Sequence, residues 1–365
     1  MGGTGVLYPL VTGVPLPGDA GSSEPPIRTR SFVRDLLLVV ATGVVLYFAG
    51  PELLSVFSSW PRLTTLQPAW LVVALAAEVA HFGCTFALQR LALRTRAWGP
   101  VVTAQLSGNA VTLVVPGGAA AGAAVQYRML SATGITPEDA VGGLTAFTFL
   151  GIGGLLALPL PALVVVGLGA PVAGSLLAAG LISTGAFLVF IGLATVALVA
   201  DQPLVWLGRV ITQVLTRLRP HHPPPLDLGN RLVDQRNQVR AVLGAHLREA
   251  VLLTAGRLAL DLLCLYASLR ATGASADPAV ILVVFAVAGV IGLIPITPGG
   301  LGLVEAGLTG LLALAGVPTG RALLATLTYR LASYWLPICA GPFAYLAFRL
   351  QQRHRARPAS PTNGP

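Results

Sequence analysis

Apolar residues run through this chain in long stretches separated by short arginine-bearing connections, and the stretch lengths set the elements. Roughly 20 consecutive apolar residues cross the hydrocarbon of a bilayer as a helix. On that measure, spans are predicted near residues 35–57, 69–91, 137–170, 175–200, 248–270 and 321–348. Two further apolar stretches, near 100–130 and 279–316, are each interrupted by the same tripeptide, Pro116-Gly117-Gly118 and Pro298-Gly299-Gly300. A helix broken at membrane depth is tolerated only where the freed backbone is buried in protein or lines a cavity. Paired breaks in the two halves of a chain are the sequence sign of a transporter built from internal repeats. Taken singly, each tripeptide also suits a surface turn in a chain with 42 Gly and 28 Pro. The paired placement favours the broken-helix reading.

The substantial polar connection is 201–247, carrying Arg209, Arg217, Arg219, Arg231, Arg236 and Arg240 and the turn at Pro223-Pro224-Pro225. Leu204, Leu207, Ile211, Val214, Leu215 and Leu218 recur at helical spacing opposite Arg209, Thr212 and Thr216. This predicts an amphipathic helix on the cytoplasmic membrane face. The frayed end of the preceding span is the alternative.

Composition agrees with a membrane class. Mean hydropathy is +0.78, 55% of residues are hydrophobic and 10% are charged. At 365 residues the chain has room for the spans but not for a sizeable soluble catalytic domain beside them. Residues 1–30 are rich in Gly, Pro and Ser and read as a disordered tail, 31–350 as the transmembrane domain and 351–365 as a basic tail. Cys84, Cys264 and Cys339 lie inside apolar runs without paired spacing, so neither disulfides nor a metal site are expected.

All 23 basic residues are arginine, and the net charge is +9. They sit mainly in short loops, a pattern that fits the positive-inside bias rather than a nucleic-acid surface. With both termini and the 201–247 connection cytoplasmic, Arg62, Arg270 and Arg321 face outward, Arg257 and Arg330 lie within spans, and the rest face the cytoplasm. The same assignment opens the two broken segments to opposite sides. The expected fold is therefore an all-α polytopic membrane protein of about six full spans plus two re-entrant helical hairpins in an inverted repeat. The expected location is the cytoplasmic membrane.

Ionisable residues within spans are costly and are functional candidates by default. Here they are Glu78, His81, Arg257, Asp261, Glu305 and Arg330. Arg257 and Asp261 stand four apart on one helix face and form a candidate intramembrane ion pair. Glu78 and His81, three apart, suit a packing hydrogen bond or a proton site. Arg330 needs a counter-charge in the last span, and Glu305, early in the half-helix after Gly300, is the best candidate in the same repeat. No hydrolytic, phosphate-loop or metal-ligand motif emerges, so catalysis, a cofactor and a metal are not expected. Helices beginning after each Pro-Gly-Gly would turn their N-termini toward the bilayer midplane and favour an anion there. Arginine at that depth suits phosphate. An anionic lipid headgroup follows, because its tails can remain in the bilayer.

The stretch Ile294-Pro295-Ile296-Thr297-Pro298-Gly299-Gly300-Leu301-Gly302-Leu303-Val304-Glu305-Ala306-Gly307 resembles the signature of the lysylphosphatidylglycerol synthase transmembrane region, a flippase-like family. Asn109 with Val115-Pro116-Gly117-Gly118, then Tyr127-Arg128-Met129-Leu130, and the run Tyr329-Arg330 through Trp335-Leu336-Pro337 are similar to it as well. The resemblance covers residues 35–350. It implies a polytopic inner-membrane protein, with Asn109, Pro116, Gly117, Gly118, Arg128, Pro298, Gly299, Gly300, Glu305 and Arg330 as the substrate-binding set. Many relatives carry Arg, Gly and Glu after the first proline. This chain has Gly118, Ala119 and Ala120 with Gly122, which shifts any role of the first hairpin from side chains to backbone.

Fused members translocate aminoacylated phosphatidylglycerol. This chain carries only a short basic tail after the last span, and it is not expected to synthesise lysylphosphatidylglycerol. The resulting expectation is translocation of an anionic phospholipid or lipid-linked substrate. Alternatives are a non-transporting scaffold for a separate lipid-modifying enzyme, or a small-solute or ion carrier with Arg257–Asp261 as a proton relay. A homo-oligomer is compatible with any of these.

Overall fold

The computed structural model describes residues 66–115, 118–169, 174–218, 228–293 and 298–355. The expected span at 35–57, both termini, and Pro116 and Gly117 lie outside the described residues.

Twelve α-helices follow in order among the described residues: α1 Pro68–Ala92, α2 Trp98–Val114, α3 Ala119–Ser131, α4 Pro137–Ala157, α5 Pro159–Gly167, α6 Gly174–Val199, α7 Gln202–Leu218, α8 Leu228–Ala271, α9 Pro278–Gly292, α10 Leu303–Leu314, α11 Thr319–Arg330 and α12 Leu336–Arg355. Several starts carry local signals. Pro at the first helical position opens α1, α4 and α9, where its missing N–H costs nothing. The Thr136 and Asp277 side chains cap α4 and α9. Five stretches are long and apolar enough to cross a membrane: Pro68–Ala92, Pro137–Gly167, Leu177–Ala197, His246–Ala271 and Thr319–Arg353. The polar first part of α8 is set off from its membrane part by a kink at His246, where the backbone leaves helical geometry. Residues Gln202–Leu218, expected to be helical, form α7, which packs on α8 and leaves Arg209 and Arg217 exposed.

The last span is interrupted too. A π-helical turn over Leu331–Trp335 joins α11 to α12 just ahead of Pro337. Proline cannot donate to the carbonyl one turn back, and a widened turn is one way a helix absorbs that loss.

Partner exchange relates the two halves. The spans before each hairpin, α1 and α8, pack on each other. Hairpin helix α2 packs on α12, which follows the second hairpin, and hairpin helix α9 packs on α5 and α4, which follow the first. Small residues make these approaches possible. Ala74 and Ala77 of α1 meet Cys264 and Ala267 of α8. A Cβ at Gly341 of α12 would lie 2.3 Å from the Ala110 side chain of α2.

The two hairpin helices α9 and α10 are short; α9 spans about 22 Å at 1.5 Å per residue, less than the hydrocarbon thickness. Val280, Ile281 and every residue from Val283 to Ala288 are buried, and all of these but Val280 join Leu265, Leu269, Leu308 and Leu312 in the main apolar core. Helix α9 is thus encased in protein, whereas α10 keeps Ala306, Gly310 and Leu314 exposed. By contrast α6 turns Ile182, Leu188, Val189 and Leu193 outward, as a lipid-facing helix does.

Candidate functional site

The second tripeptide makes a tight 3₁₀ turn over Pro298–Gly300 between α9 and α10. Gly299 holds φ +56°, a left-handed conformation that favours glycine. Space also demands glycine there, since a Cβ would lie 2.4 Å from the Tyr334 ring and 3.0 Å from the Leu113 carbonyl. The turn therefore sits against the end of α2, and Tyr334 seals the contact by donating its hydroxyl to the Leu113 carbonyl at 3.0 Å. The Pro298–Gly300 turn thus meets the end of the helix that precedes the first tripeptide. On the first side, a Cβ at Gly118 would collide with the carbonyls of Thr112 and Val115, at 2.6 and 2.5 Å.

Arg330 ends α11 and reaches this junction. It is 9% exposed. Its Nε donates to Glu305, its Nη2 donates to the Gly299 carbonyl at 3.1 Å, and its guanidinium lies 4.2 Å from the centre of the Tyr334 ring. Tyr334 stands four residues after Arg330, the spacing that puts two side chains on one helix face. Glu305 is in the first turn of α10, where the helix dipole favours a negative charge. One Glu305 oxygen, Oε2, is buried without a hydrogen-bond partner among the described residues. The protein's own carboxylate thus occupies the anion position that the broken helix creates.

A cavity of about 210 Å³ opens beside this pair, lined by Asp261, Gly299, Tyr329 and Arg330 among apolar neighbours such as Leu155 and Phe285. Tyr329 donates to Asp261 at 2.8 Å. A second cavity of about 630 Å³, almost wholly apolar, lies between α4, α6 and α8. Adjacent positions line the two: Gly154 and Leu155 on α4, Leu258 and Asp261 on α8, Leu282 and Phe285 on α9.

The structure brings Gly299, Gly300, Glu305 and Arg330 together as the sequence suggests, with Pro298 supplying the first backbone position of the turn. Gly118 belongs to the first hairpin tip, and Pro116 and Gly117 fall outside the described residues. Asn109, half-buried on α2, and Arg128, exposed near the end of α3, do not line the cavity. Two expected pairs are corrected. Arg257 does not bridge to Asp261: it donates to the Gly151 carbonyl at 3.4 Å, while Asp261 accepts from Tyr329. Glu78 does not bond His81, whose Nδ1 donates to the Arg257 carbonyl at 2.8 Å. Tyr329 and Tyr334 carry contacts that their flanking of Arg330 hinted at but that apolar spacing did not assign.

A helical bundle with interrupted segments meeting around a buried arginine, and lipid-facing apolar helices outside, defines a multi-pass membrane protein. Residues 36–341 match the family described as the lysylphosphatidylglycerol synthase TM region, and the chain belongs to that family. It is also similar to a "UPF0104 membrane protein" of Methanothermobacter thermautotrophicus, 36% identical over 96 residues. That match covers 26% of this chain and 27% of the relative's length.

Proposed function

We propose that this protein moves an anionic lipid across the cytoplasmic membrane, with the phosphate headgroup passing through the Arg330 cavity. The observation that carries the reading is Arg330 itself, a buried guanidinium held by Glu305 and the Gly299 carbonyl on the wall of a cavity at the hairpin junction. Guanidinium matches phosphate and carboxylate alike through its planar fork. A headgroup phosphate entering the cavity competes with Glu305 for Arg330, which gives the site two states. The adjoining apolar cavity favours a lipid over a small soluble anion, since it offers acyl chains a place beside the headgroup.

In this reading both tripeptide segments are re-entrant hairpins opening to opposite sides, and the arginine bias sets both termini in the cytoplasm. No chemistry on the lipid is assigned to the chain. A partner that modifies the lipid would act before or after its movement.

Purified protein in liposomes of phosphatidylcholine and phosphatidylglycerol tests the proposal. Dithionite bleaching of headgroup-accessible NBD-phosphatidylglycerol should proceed past the outer-leaflet half in vesicles that contain the protein. Bleaching that stops at half, as in protein-free vesicles, contradicts it.

A further inference from the structure

Beside the headgroup cavity lies a second charged cluster that the reading above does not use. Glu78 of α1 is 1% exposed, and its Oε2 has no hydrogen-bond partner among the described residues. Ala74 and Ala77, on the same face of α1 as Glu78, pack on Cys264 and Ala267 of α8 with Tyr329 beside them, and Asp261 stands one turn before Cys264 on α8. Asp261 links the α1–α8 contact that holds Glu78 to the wall of the Arg330 cavity, where Tyr329 donates to it. Arg257, four residues before Asp261 on α8, is turned to the Gly151 carbonyl, and its Nε has no hydrogen-bond partner among the described residues.

The titratable groups on the elements packed around the two carboxylates include His81 on α1, Arg257 and Cys264 on α8, Tyr329 and Arg330 on α11, Tyr334 in the π turn and Glu305 on α10. Helices α2 and α9 carry no titratable side chain, and α4 carries none beyond its first turn. With both carboxylates ionised, Arg257 balances only one of them, and Arg330 is already balanced by Glu305. An anionic headgroup then adds negative charge to a cavity whose wall holds Asp261. Charges in a weakly screening interior interact strongly, so a proton held at Glu78 or Asp261 lowers that repulsion.

We propose that Glu78 and Asp261 form an intramembrane proton-binding site that is loaded when an anionic headgroup occupies the Arg330 cavity, so that lipid movement is linked to proton movement. The inference rests on the Arg330 cavity being the headgroup site. The protonated pair favours bound anion, so binding takes up protons and affinity falls as pH rises. One linked proton weakens binding by up to about tenfold per pH unit. The unpartnered Oε2 of Glu78 provides an acceptor for the proton, and Asp261 provides its contact with the cavity.

The test uses full-length protein in detergent, weakly buffered, titrated with dioctanoyl-phosphatidylglycerol. A pH indicator reads protons exchanged while calorimetry in two buffers of different ionisation enthalpy reads binding. Uptake of up to one proton per lipid somewhere between pH 5 and 9 is expected, together with the fall in affinity. Glu78→Gln should bind lipid with the uptake largely lost and a flattened pH dependence. Replacement of sodium by choline should change nothing. Binding without proton exchange at any pH, or binding that requires sodium, overturns the proton site while leaving the headgroup cavity standing. Absence of lipid binding overturns both. If Glu78→Gln does not fold, the proton exchange of the unmutated protein still decides.

Discussion

Arg330 meets a carboxylate, a carbonyl and an aromatic ring, and each contact predicts a different consequence of substitution. Arg330→Ala strands Glu305 in a buried position, which costs about 3–5 kcal/mol; thermal unfolding in detergent should show a large loss. Arg330→Lys retains the charge without the planar fork, so it should unfold close to the parent and move lipid poorly. Gly299→Ala combines a positive φ with a Cβ placed 2.4 Å from Tyr334, and should destabilise by about 1–3 kcal/mol. Gly310 is the control, because a Cβ there meets nothing within 4 Å, so Gly310→Ala in α10 should be neutral or stabilising by up to about 1 kcal/mol. Equal losses at the two glycines would contradict the packing of the turn.

Between elements, Tyr334 is the link from the last span to the first hairpin, through the Leu113 carbonyl. Tyr334→Phe removes that hydrogen bond and keeps the ring under Arg330. Its effect on global stability should be small, about 1 kcal/mol, while amide exchange at the end of α2 near 111–115 should rise. Unchanged exchange there would mean the hairpin tip is held by other contacts. The extents of these elements were legible in the sequence because uniform apolar runs and prolines mark membrane helices directly: α1, the α2–α3 segment, α8 past His246 and the α9–α10 segment fall within a few residues of expectation. The side-chain partners of Arg257 and Glu78 were not legible. Spacing along one helix gives who can meet on that helix, whereas Gly151 and the Cys264 face of α8 are supplied by neighbouring helices whose rotation the apolar pattern leaves undetermined. Glu305 with Arg330 was legible because a buried guanidinium demands a counter-charge and the second repeat offers one at the right depth.

Across the whole molecule, the exchange of partners between the two halves and the arginine asymmetry together predict sidedness. In a background free of the native cysteines, single cysteines beside Arg94 and Arg236 should react with an impermeant maleimide only from the cytoplasmic side. A cysteine beside Asp277 should react only from outside. Outward labelling of the Arg236 region would reverse the orientation and remove the opposed openings on which the transport reading relies.

The most direct test of the headgroup site is lipid movement by the double variant Glu305→Gln with Arg330→Gln. Removing both charges leaves no stranded ion, so the variant should fold and insert like the parent. With the guanidinium gone, bleaching of NBD-phosphatidylglycerol in its proteoliposomes should stop at the outer-leaflet half, as in protein-free vesicles. Movement at the parental rate in a folded double variant would reduce the pair to a structural lock and contradict the assignment of Arg330 to the headgroup.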